Sequence, residues 1–336
     1  MSVVLVTGGT GFIGSHLVER LLDQGRKVRV LALKRHIDSI SVENEEILRS
    51  KGAEIVYGDL FDIKTLKRIT KDVDTVFHLA GISRPMKILS KIYYDTNVSG
   101  TKNILETFKD TKLKRFVHVS TVSVLGLSPD GHPLKEDEFQ YEDLKYAMSK
   151  REGEWIALNY HFKHRVPVVV IRPSLVYGPR CMVRLVMFKF VKQGLFPLFN
   201  NGKAKMEFTY VDNVVDAILL AEKKKNIIGE VFNITDGQSY RIKKVLNTIA
   251  EELGVKKPSV NIPYWLGKNL GYISEFLSKI FGIYPPFSRT AADWMSKDVN
   301  VYDCSKARRV LGYSPKVSLR EGVKRSIEWY KDKGVL

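Results

Sequence analysis

The chain of 336 residues is poor in cysteine and in acidic residues, and it lacks long apolar runs. Its two cysteines, Cys181 and Cys304, are far apart, so neither a disulfide framework nor a cysteine-rich metal site is expected. No apolar stretch approaches the roughly 18 residues that span a bilayer. The N-terminal run Val3–Val6 meets glycines at once, which is not typical of a signal peptide. These absences favour a cytoplasmic protein without a metal.

Basic residues outnumber acidic ones, 54 Lys and Arg against 37 Asp and Glu, giving a net charge of +17. No Asp or Glu occurs between Trp155 and Met206. The basic residues form small scattered groups that are not interleaved with aromatic residues on one element, which argues against nucleic-acid binding. A solvated basic surface, an anionic ligand and a peripheral contact with an anionic membrane all fit this charge.

The chain does have a regular alternation of apolar, β-branched runs with helical patterns. The runs that predict strands are Val3–Thr7, Lys27–Leu33, 52–60, 74–81, Arg115–Thr121, Val166–Pro173, 206–210 and Val231–Thr235. The patterns that predict helices between them are Phe12–Gln24, 65–70, Tyr94–Lys109 and Lys145–Tyr160. This alternation predicts an α/β fold with a doubly wound parallel (Rossmann) sheet. Residues 1–172 plus 206–235 are expected to form it, and 173–205 plus 236–336 a smaller, mostly helical substrate lobe.

A glycine-rich stretch, GGTGFIG, lies between the first strand and the first helix. Glycines there let the backbone approach a pyrophosphate at the helix N-terminus, so the stretch predicts dinucleotide binding. Two spacings fit it. Gly9, Gly11 and Gly14 give G-x-G-x-x-G, whereas Gly8, Gly11 and Gly14 give G-x-x-G-x-x-G.

A tyrosine four residues before a lysine occurs five times in the chain. The pairs are Tyr141/Lys145, Tyr146/Lys150, Tyr240/Lys244, Tyr264/Lys268 and Tyr302/Lys306. Context selects Tyr146/Lys150, because it begins a long helix after a strand that ends in Ser120 and Thr121. Such strand ends face the ligand crevice of a parallel sheet. Lowering the pKa of a tyrosine toward neutrality takes on the order of 4 kcal/mol, part of which a nearby ammonium can supply.

Together, these motifs and others resemble an extended short-chain dehydrogenase/reductase of the NAD-dependent epimerase/dehydratase superfamily. The motifs are TGGTGFIG (7–14), GDL (58–60), HLAG (78–81), NVSGT (97–101), VSTVSVLG (119–126), YAMSK (146–150), IRPSLVYGP (171–179) and FTYVDNVVDAILLA (208–221). The likeness covers nearly the whole chain and is greatest to the branch of 3β-hydroxysteroid dehydrogenases and dihydroflavonol reductases. It implies an NAD(P)-dependent enzyme and the glycine spacing that begins at Gly8.

The resemblance also implies site residues. Tyr146 would be the general acid/base, Lys150 would lower its pKa and hold the nicotinamide ribose, and Thr121 would hydrogen-bond the reacting oxygen. The implied cofactor contacts are Gly8, Gly11, Phe12, Ile13, Gly14, Asp59, Leu60, Leu79, Ala80, Gly81, Asn97, Tyr146, Lys150 and Pro173. Among these, Asp59 would bind the adenine amino group and Asn97 would brace the site. The implied substrate contacts are Ser83, Ser123, Tyr177 and Arg180.

The end of the second strand favours NADP(H) over NAD(H). Enzymes that prefer NAD place an Asp or Glu there, roughly 20 residues past the glycine turn. Here Lys34 and Arg35 follow the strand, and no acid occurs before Asp38. The two cations can bind a 2′-phosphate. The alternative is that both point into solvent and that backbone contacts hold NAD(H).

Two substrate classes stay open. Many nucleotide-sugar enzymes have an R-[YF]-x-N pattern whose asparagine contacts the phosphates, but Leu175 takes that place here. This favours an oxidoreductase acting on a secondary hydroxyl or carbonyl of an apolar, sterol-like, phenolic or isoprenoid molecule. The alternative is a nucleotide-sugar epimerase or dehydratase with tightly bound NAD, which the acid-free stretch 155–206 would suit. Intact Thr121, Tyr146 and Lys150 argue against a cofactor-binding protein without catalysis.

An aromatic-rich segment at 263–284 predicts a helix with a wide apolar stripe. Its apolar residues at helical spacing are Leu266, Leu270, Ile273, Leu277 and Ile280, widened by Trp265, Tyr272, Phe276 and Phe281. The stripe exceeds what a one-sided surface helix needs. We expect it to be lobe core or a homodimer face, with a membrane contact as the alternative.

Overall fold

The computed structural model describes residues 3–34, 38–82, 90–141, 144–281 and 288–336, so the predicted contacts Arg35 and Ser83 lie outside the described residues. The strands are β1 (Val3–Thr7), β2 (Lys27–Ala32), β3 (Glu54–Tyr57), β4 (Val73–His78), β5 (Arg115–Val119), β6 (Val168–Pro173), β7 (Leu175–Tyr177), β8 (Leu198–Phe199), β9 (Lys205–Met206), β10 (Phe208–Tyr210), β11 (Val231–Ile234), β12 (Tyr240–Arg241) and β13 (Asn261–Ile262). The helices are α1 (Phe12–Asp23), α2 (Ser39–Ser50), α3 (Ile63–Ile69), α4 (Ser90–Tyr94), α5 (Thr101–Phe108), α6 (Lys145–His164), α7 (Met182–Lys192), α8 (Val211–Lys223), α9 (Ile242–Leu253), α10 (Tyr264–Phe281), α11 (Arg289–Ser296) and α12 (Leu319–Asp332). A π-helical turn, Asp95–Gly100, joins α4 to α5.

Seven parallel strands form the central sheet, in the order β11-β6-β5-β4-β1-β2-β3. Successive residues of a strand face opposite sides of a sheet, and both sides are apolar here. Val4 and Val6 of β1 belong to the core under α1 and α8, whereas Leu5 belongs to the core under α3, α5 and α6. The doubly wound parallel sheet predicted from the sequence is therefore confirmed.

A second apolar core lies outside this sheet. It joins α7, α9 and α12 to the short strands β7 and β10, with Phe188, Leu246 and Ile327 among its buried residues. The predicted strand at 206–210 pairs with β7 rather than with the central sheet, whereas β11 does extend the central sheet beside β6. The division of the chain into the two lobes given above stays a prediction.

Helix α10 turns its apolar stripe outward. Leu266, Leu270 and Ile273 are all exposed. The opposite side of the helix carries small residues. A β-carbon on Gly267 would lie 2.8 Å from the Phe199 ring, so a larger side chain has no room there. The expectation that this stripe forms lobe core is therefore wrong, because small residues rather than bulky ones fit the narrow space beneath the helix.

Candidate active site

The glycine turn, the HLAG segment and Thr121 are found at the carboxyl ends of three adjacent strands. Thr7 ends β1, His78 ends β4 and Val119 ends β5. The strand order reverses at β1, which lies between β2 and β4. In open parallel sheets the ligand crevice forms at such a reversal. The glycine turn, the HLAG segment and Thr121 are thus placed around one crevice.

The turn after β1 has no room for a side chain at two of its glycines. Gly8 has a φ of +70°, and a β-carbon there would lie 2.7 Å from the amide nitrogen of Ala80. A β-carbon on Gly14 would lie 2.1 Å from the carbonyl oxygen of Gly8. Gly9, by contrast, meets only side chains. The geometry fits the spacing Gly8, Gly11 and Gly14.

Helix α1 presents an uncapped N-terminus at this turn. Its N-cap residue is Gly11, which makes no side-chain hydrogen bond, and the first turn from Phe12 and Ile13 onward holds no acidic residue. The side chain of Asn44 in α2 donates to the carbonyl oxygen of Thr10 over 2.9 Å and so holds the turn. Unpaired amides at a helix N-terminus attract anions, so this site fits the pyrophosphate of a dinucleotide.

Asp59 and Leu60 follow β3. The Oδ1 atom of Asp59 accepts hydrogen bonds from the backbone N–H groups of Phe61 (2.7 Å) and Asp62 (2.9 Å), so this carboxylate shapes the turn before α3. Leu60 is buried, and its side chain lies 2.6 Å from where a β-carbon on Gly100 would be. The contact of Asp59 with adenine stays a prediction.

A chain of hydrogen bonds links the crevice to α5. The amide of Ala80 donates to Oγ1 of Thr7 (3.3 Å), and that hydroxyl lies 2.7 Å from Nδ1 of His78. Nε2 of His78 lies 3.0 Å from Oγ1 of Thr101, whose hydroxyl donates to the carbonyl oxygen of Asn97 (2.8 Å). Because Thr101 uses its hydrogen on Asn97, His78 must donate through Nε2 and accept from Thr7 at Nδ1. Burial lowers the pKa of His78 to about 3, so the ring stays neutral.

Asn97 lies on the π-helical turn and is almost fully buried. Its Oδ1 accepts from the backbone N–H of Ile82 (2.9 Å), and its Nδ2 donates to Oγ of Ser149 (3.0 Å). Its carbonyl oxygen packs against Gly153 of α6, where a β-carbon would lie 2.2 Å away. Asn97 therefore ties the segment after β4 to α6 next to Lys150, which is the bracing position that the resemblance implies.

Thr121, Tyr146 and Lys150 come together where β5 ends and α6 begins. Nζ of Lys150 donates to the carbonyl oxygen of Val119 (2.9 Å). Burial lowers the pKa of Lys150 to about 8, so most of the amine is protonated at neutral pH. Burial also raises the pKa of Tyr146 to about 12, and a hydrogen bond with Thr121 opposes part of that rise. A β-carbon on Gly81 would lie 3.6 Å from Nζ of Lys150, so the HLAG segment borders this group.

The surroundings of Tyr146 differ from those of Tyr141, the tyrosine of the preceding pair. Tyr141 is 87% exposed, whereas Tyr146 is half-buried and its ring centre lies 6.3 Å from that of Tyr93. Ser123, a predicted substrate contact, lies beside Thr121, with 3.3 Å between their hydroxyl oxygens. Burial therefore separates Tyr146 from Tyr141 but not from Tyr240 and Tyr302, which are also buried. The hydrogen bond with Thr121 is what supports the choice of Tyr146.

The other predicted cofactor contacts lie around the same strands. The amide of Leu79 donates to the carbonyl oxygen of Thr7 (3.0 Å), which extends the pairing of β4 with β1. Pro173 ends β6 and is buried. Lys34 is exposed after β2, and no carboxylate of the described residues lies within ion-pair distance of it. The binding roles of all three stay predictions.

Tyr177 and Arg180 have protein partners of their own. Tyr177 is 2% exposed within the second core, and its hydroxyl lies 3.5 Å from the carbonyl oxygen of Leu319. Arg180 donates to Glu19 of α1 over 2.6 Å. Their roles as substrate contacts stay predictions that these partners do not support. Within the described ranges, no group of three His, Cys, Asp or Glu side chains could hold a metal ion.

The link that His78 makes between β1 and α5 was not predicted from the sequence. The HLAG motif includes this residue, but its partners Thr7 and Thr101 come from β1 and α5. Neither the spacing nor the chemistry of a single histidine indicates such distant partners. The fold alone brings the three side chains together.

Comparisons with known proteins agree with this geometry. The NAD dependent epimerase/dehydratase family matches residues 4–235. The chain is 28% identical over 342 residues to the sterol-4-alpha-carboxylate 3-dehydrogenase, decarboxylating, of Mus musculus, with 96% of this chain and 89% of that protein covered. It is 31% identical over 347 residues to the 3beta-hydroxysteroid-dehydrogenase/decarboxylase isoform 1 of Arabidopsis thaliana, with 96% and 78% covered. The crystal structure of UDP-glucuronic acid 4-epimerase from Bacillus cereus in complex with NAD superposes with a TM-score of 0.78 at 27% identity, covering 98% of this chain and 99% of that one.

The relatives act on different substrates, yet their similarity to this chain is nearly equal. Sterol dehydrogenases and a nucleotide-sugar epimerase both match over almost its whole length. The matched family region contains the glycine turn, Thr121, Tyr146 and Lys150. The chain thus belongs to the NAD-dependent epimerase/dehydratase family and is an enzyme of the extended short-chain dehydrogenase/reductase type.

Proposed function

We propose that this enzyme transfers a hydride between NAD(P)(H) and a secondary hydroxyl or carbonyl of an apolar molecule that is sterol-like, phenolic or isoprenoid. The observation that carries the proposal is the grouping of Thr121, Tyr146 and Lys150 beside the glycine turn. A hydroxyl, a phenol and an ammonium are the groups needed to hold a reacting oxygen and to move its proton.

The three side chains divide the proton chemistry between them. The nicotinamide, when bound, delivers or accepts the hydride, and its oxidised form adds a positive charge that favours a phenolate nearby. In reduction, Tyr146 gives its proton to the carbonyl oxygen as negative charge develops there, and Thr121 donates a hydrogen bond to the same oxygen. In oxidation, the phenolate of Tyr146 takes the proton of the hydroxyl. The ammonium of Lys150 stabilises that phenolate and holds the nicotinamide ribose.

The pKa of Tyr146 suits reduction more directly than oxidation. Burial raises it to about 12, so the phenol carries its proton at neutral pH and is ready to act as an acid. To act as a base, the phenol must first lose that proton. Each unit by which its pKa falls requires about 1.4 kcal/mol of preferential stabilisation of the phenolate.

An apolar substrate is supported by the arginines around β6 and β7. Arg172 is 2% exposed, and its guanidinium donates to both carboxylate oxygens of Glu154. Arg180 is paired with Glu19. Leu175, at the place of the phosphate-binding asparagine, packs partly buried against the second core. Arg172 and Arg180 thus each have a protein carboxylate as their partner already.

A nucleotide-sugar epimerase or dehydratase is the second candidate. It is favoured by the similarity to the Bacillus cereus UDP-glucuronic acid 4-epimerase and by the acid-free stretch 155–206. Tyr146 would take the first proton in that reaction as well. The two candidates differ in their products, because an epimerase returns the hydride to its substrate and releases no reduced cofactor.

For the cofactor, we propose NADP(H) in preference to NAD(H). Lys34 is exposed at the end of β2 without a carboxylate partner among the described residues. Arg35 follows it in the sequence. An ammonium and a guanidinium at this position would bind a 2′-phosphate that an acidic residue would repel.

A thermal-shift measurement on the cofactor-loaded enzyme tests the substrate class. One panel contains uridine and thymidine diphosphate sugars, and the other contains sterol-like, phenolic and prenylated secondary alcohols. A ligand at about 100 times its Kd stabilises the folded state by about 2.7 kcal/mol, which is a clear rise in Tm. We expect that rise with a member of the apolar panel. A rise with a nucleotide sugar at micromolar concentration would instead promote the epimerase.

A further inference from the structure

The outer face of α10 is broad and apolar. Between Tyr264 and Ser278, its bulky apolar side chains are exposed along one side. They are Trp265, Leu266, Leu270, Tyr272, Ile273, Phe276 and Leu277. At 3.6 residues per turn they cover about 160° of the helix circumference. Trp265 and Phe276 each expose 64% of their surface.

The inner face of the same helix is built from small residues. A β-carbon on Gly267 would lie 2.8 Å from the Phe199 ring, and one on Gly271 would lie 2.7 Å from the amide nitrogen of Arg289. Ser278, on the same side, is buried. A surface helix normally turns its apolar face inward, so α10 has the reverse orientation. A contiguous exposed apolar face of this kind marks an interaction surface.

Two charged side chains of α10 lie at the flanks of this face and have partners. Lys268 pairs with Asp293 over 2.5 Å, and Glu275 pairs with Arg289 over 2.7 Å. Between Tyr264 and Ser278, none of the exposed positions carries a charge. The face therefore carries no exposed charge over this range, and Asn269 is exposed within it as an uncharged polar residue.

A second exposed apolar strip lies on α7. Val183, Val186 and Phe190 are exposed at helical spacing on its outer side. The two strips are connected through the chain that follows α7. The amide of Leu198 donates to the carbonyl oxygen of Val260 (2.8 Å), and β8 pairs with β13, which leads directly into α10. Val260 itself is 61% exposed.

Two cations lie on the last turn of α7, where the strip ends at Phe190. Lys189 and Lys192 are exposed, and no described carboxylate lies within ion-pair distance of either. The sequence has no acid between Trp155 and Met206, and the net charge of the chain is +17. Two copies meeting through this strip would bring like charges together, whereas an anionic lipid surface would attract the same cations.

We propose that the outer faces of α10 and α7 form a docking surface for a membrane that contains anionic lipids. Helix α10 would lie in the plane of the interface, with Trp265, Tyr272 and Phe276 at the level of the headgroups. Lys189 and Lys192 would contact the lipid phosphates. In the described part of the chain, no helix is long and apolar enough to cross a membrane. The docking surface does not depend on which substrate the active site takes.

Flotation of the full-length enzyme with vesicles tests this surface. Vesicles of phosphatidylcholine mixed with phosphatidylglycerol are compared with vesicles of phosphatidylcholine alone. The variants are Ile273→Glu/Phe276→Glu for the apolar face and Lys189→Gln/Lys192→Gln for the cations. Phe162→Glu on α6 is the matched control, because Phe162 is 68% exposed outside both strips. Circular dichroism and cofactor binding verify that each variant is folded.

Wild type and Phe162→Glu should bind the mixed vesicles equally. The double glutamate variant should bind them at least about tenfold more weakly, since it places charge in the apolar face. The double glutamine variant should bind the mixed vesicles about 30-fold more weakly and phosphatidylcholine vesicles almost unchanged, because it loses two cations at about 1 kcal/mol each. Absence of wild-type binding, or equal binding by the glutamate variant and its control, would overturn the proposal. So would a dimer in sedimentation that Ile273→Glu/Phe276→Glu dissociates, because the surface would then join two copies of the chain.

Discussion

Tyr146 differs from Tyr141 in its burial, and its phenol hydrogen-bonds with Thr121. Replacing Tyr146 by Phe removes only the hydroxyl that gives or takes the substrate proton. We expect kcat to fall by at least about 100-fold, which is the lower range for general acid–base catalysis, while the Kd of the cofactor stays nearly unchanged. Steady-state kinetics and cofactor titration check both values. Tyr141→Phe, at an exposed phenol, is the control and should be mild. If Tyr141→Phe were the inactivating change, the assignment of the pair would be wrong.

We propose that Lys34 and Arg35 determine the preference for NADP over NAD. In Lys34→Ala/Arg35→Ala the 2′-phosphate loses two cationic partners, so NADP binding should weaken by at least ~2 kcal/mol and NAD binding should hardly change. Isothermal titration of both cofactors measures the difference. Lys27→Ala, an exposed lysine at the start of β2, is the matched control. Tighter binding of NAD than of NADP by the wild type would refute the preference.

His78 acts between elements, because it joins β1 to α5 through Thr7 and Thr101. His78→Phe would keep a ring of similar size but leave two buried hydroxyls without their partner. We expect a loss of roughly 2–4 kcal/mol in the free energy of unfolding, measured by urea denaturation. His78→Gln, which retains a donor and an acceptor, should lose less. An equal loss in both variants would show that the hydrogen-bond chain is not what stabilises this junction.

Glu207, between β9 and β10, makes the free energy of unfolding depend on pH. Burial raises its pKa to about 7, above the value of an unfolded chain. Folding therefore favours the protonated carboxyl, so the stability contributed by this group is present at low pH and is lost as the pH rises from about 4.5 to 7. Glu207→Gln removes the titration but keeps an oxygen that can accept from Ser239.

The free energy of unfolding of Glu207→Gln relative to wild type should rise by about 1–3 kcal/mol between pH 5 and pH 8. Urea denaturation at the two pH values measures this difference. Asp332→Asn, at an exposed carboxylate near the end of α12, serves as the control and should show no such change. Parallel pH profiles for wild type and Glu207→Gln would contradict the raised pKa.

Helices α2 and α10 show why the helices of this chain are harder to predict than its strands. Helix α2 was not predicted, because its buried side includes Asn44 and Glu45 and so gives no apolar stripe. The stripe of α10 was recognised, but a stripe does not tell whether it faces inward. The orientation of α10 depends on how closely it approaches its neighbours. At Gly267 and Gly271 the space beneath the helix is too narrow for a β-carbon, so a bulky apolar side chain cannot face inward there.

At the scale of the whole molecule, the sheet was predictable because strands such as β1 and β6 are continuous apolar runs buried on both faces. The convergence of Thr121, Tyr146 and Lys150 was predictable because strand ends and helix starts meet in such a sheet, whereas their catalytic roles stay predictions. The contacts of the substrate lobe were less predictable from the sequence. Tyr177 contacts α12 and Arg180 contacts α1, and this tertiary packing leaves no local sequence pattern.

Net formation of reduced cofactor distinguishes the proposed oxidoreductase from an epimerase. The enzyme is incubated with NADP⁺ or NAD⁺ and either an apolar secondary alcohol or UDP-glucuronate, and the absorbance of the reduced nicotinamide is followed, with Tyr146→Phe as the blank. We predict net reduction with at least one apolar alcohol and none in the blank. Conversion of UDP-glucuronate to its 4-epimer without net reduction, while no apolar alcohol is oxidised, would contradict this assignment.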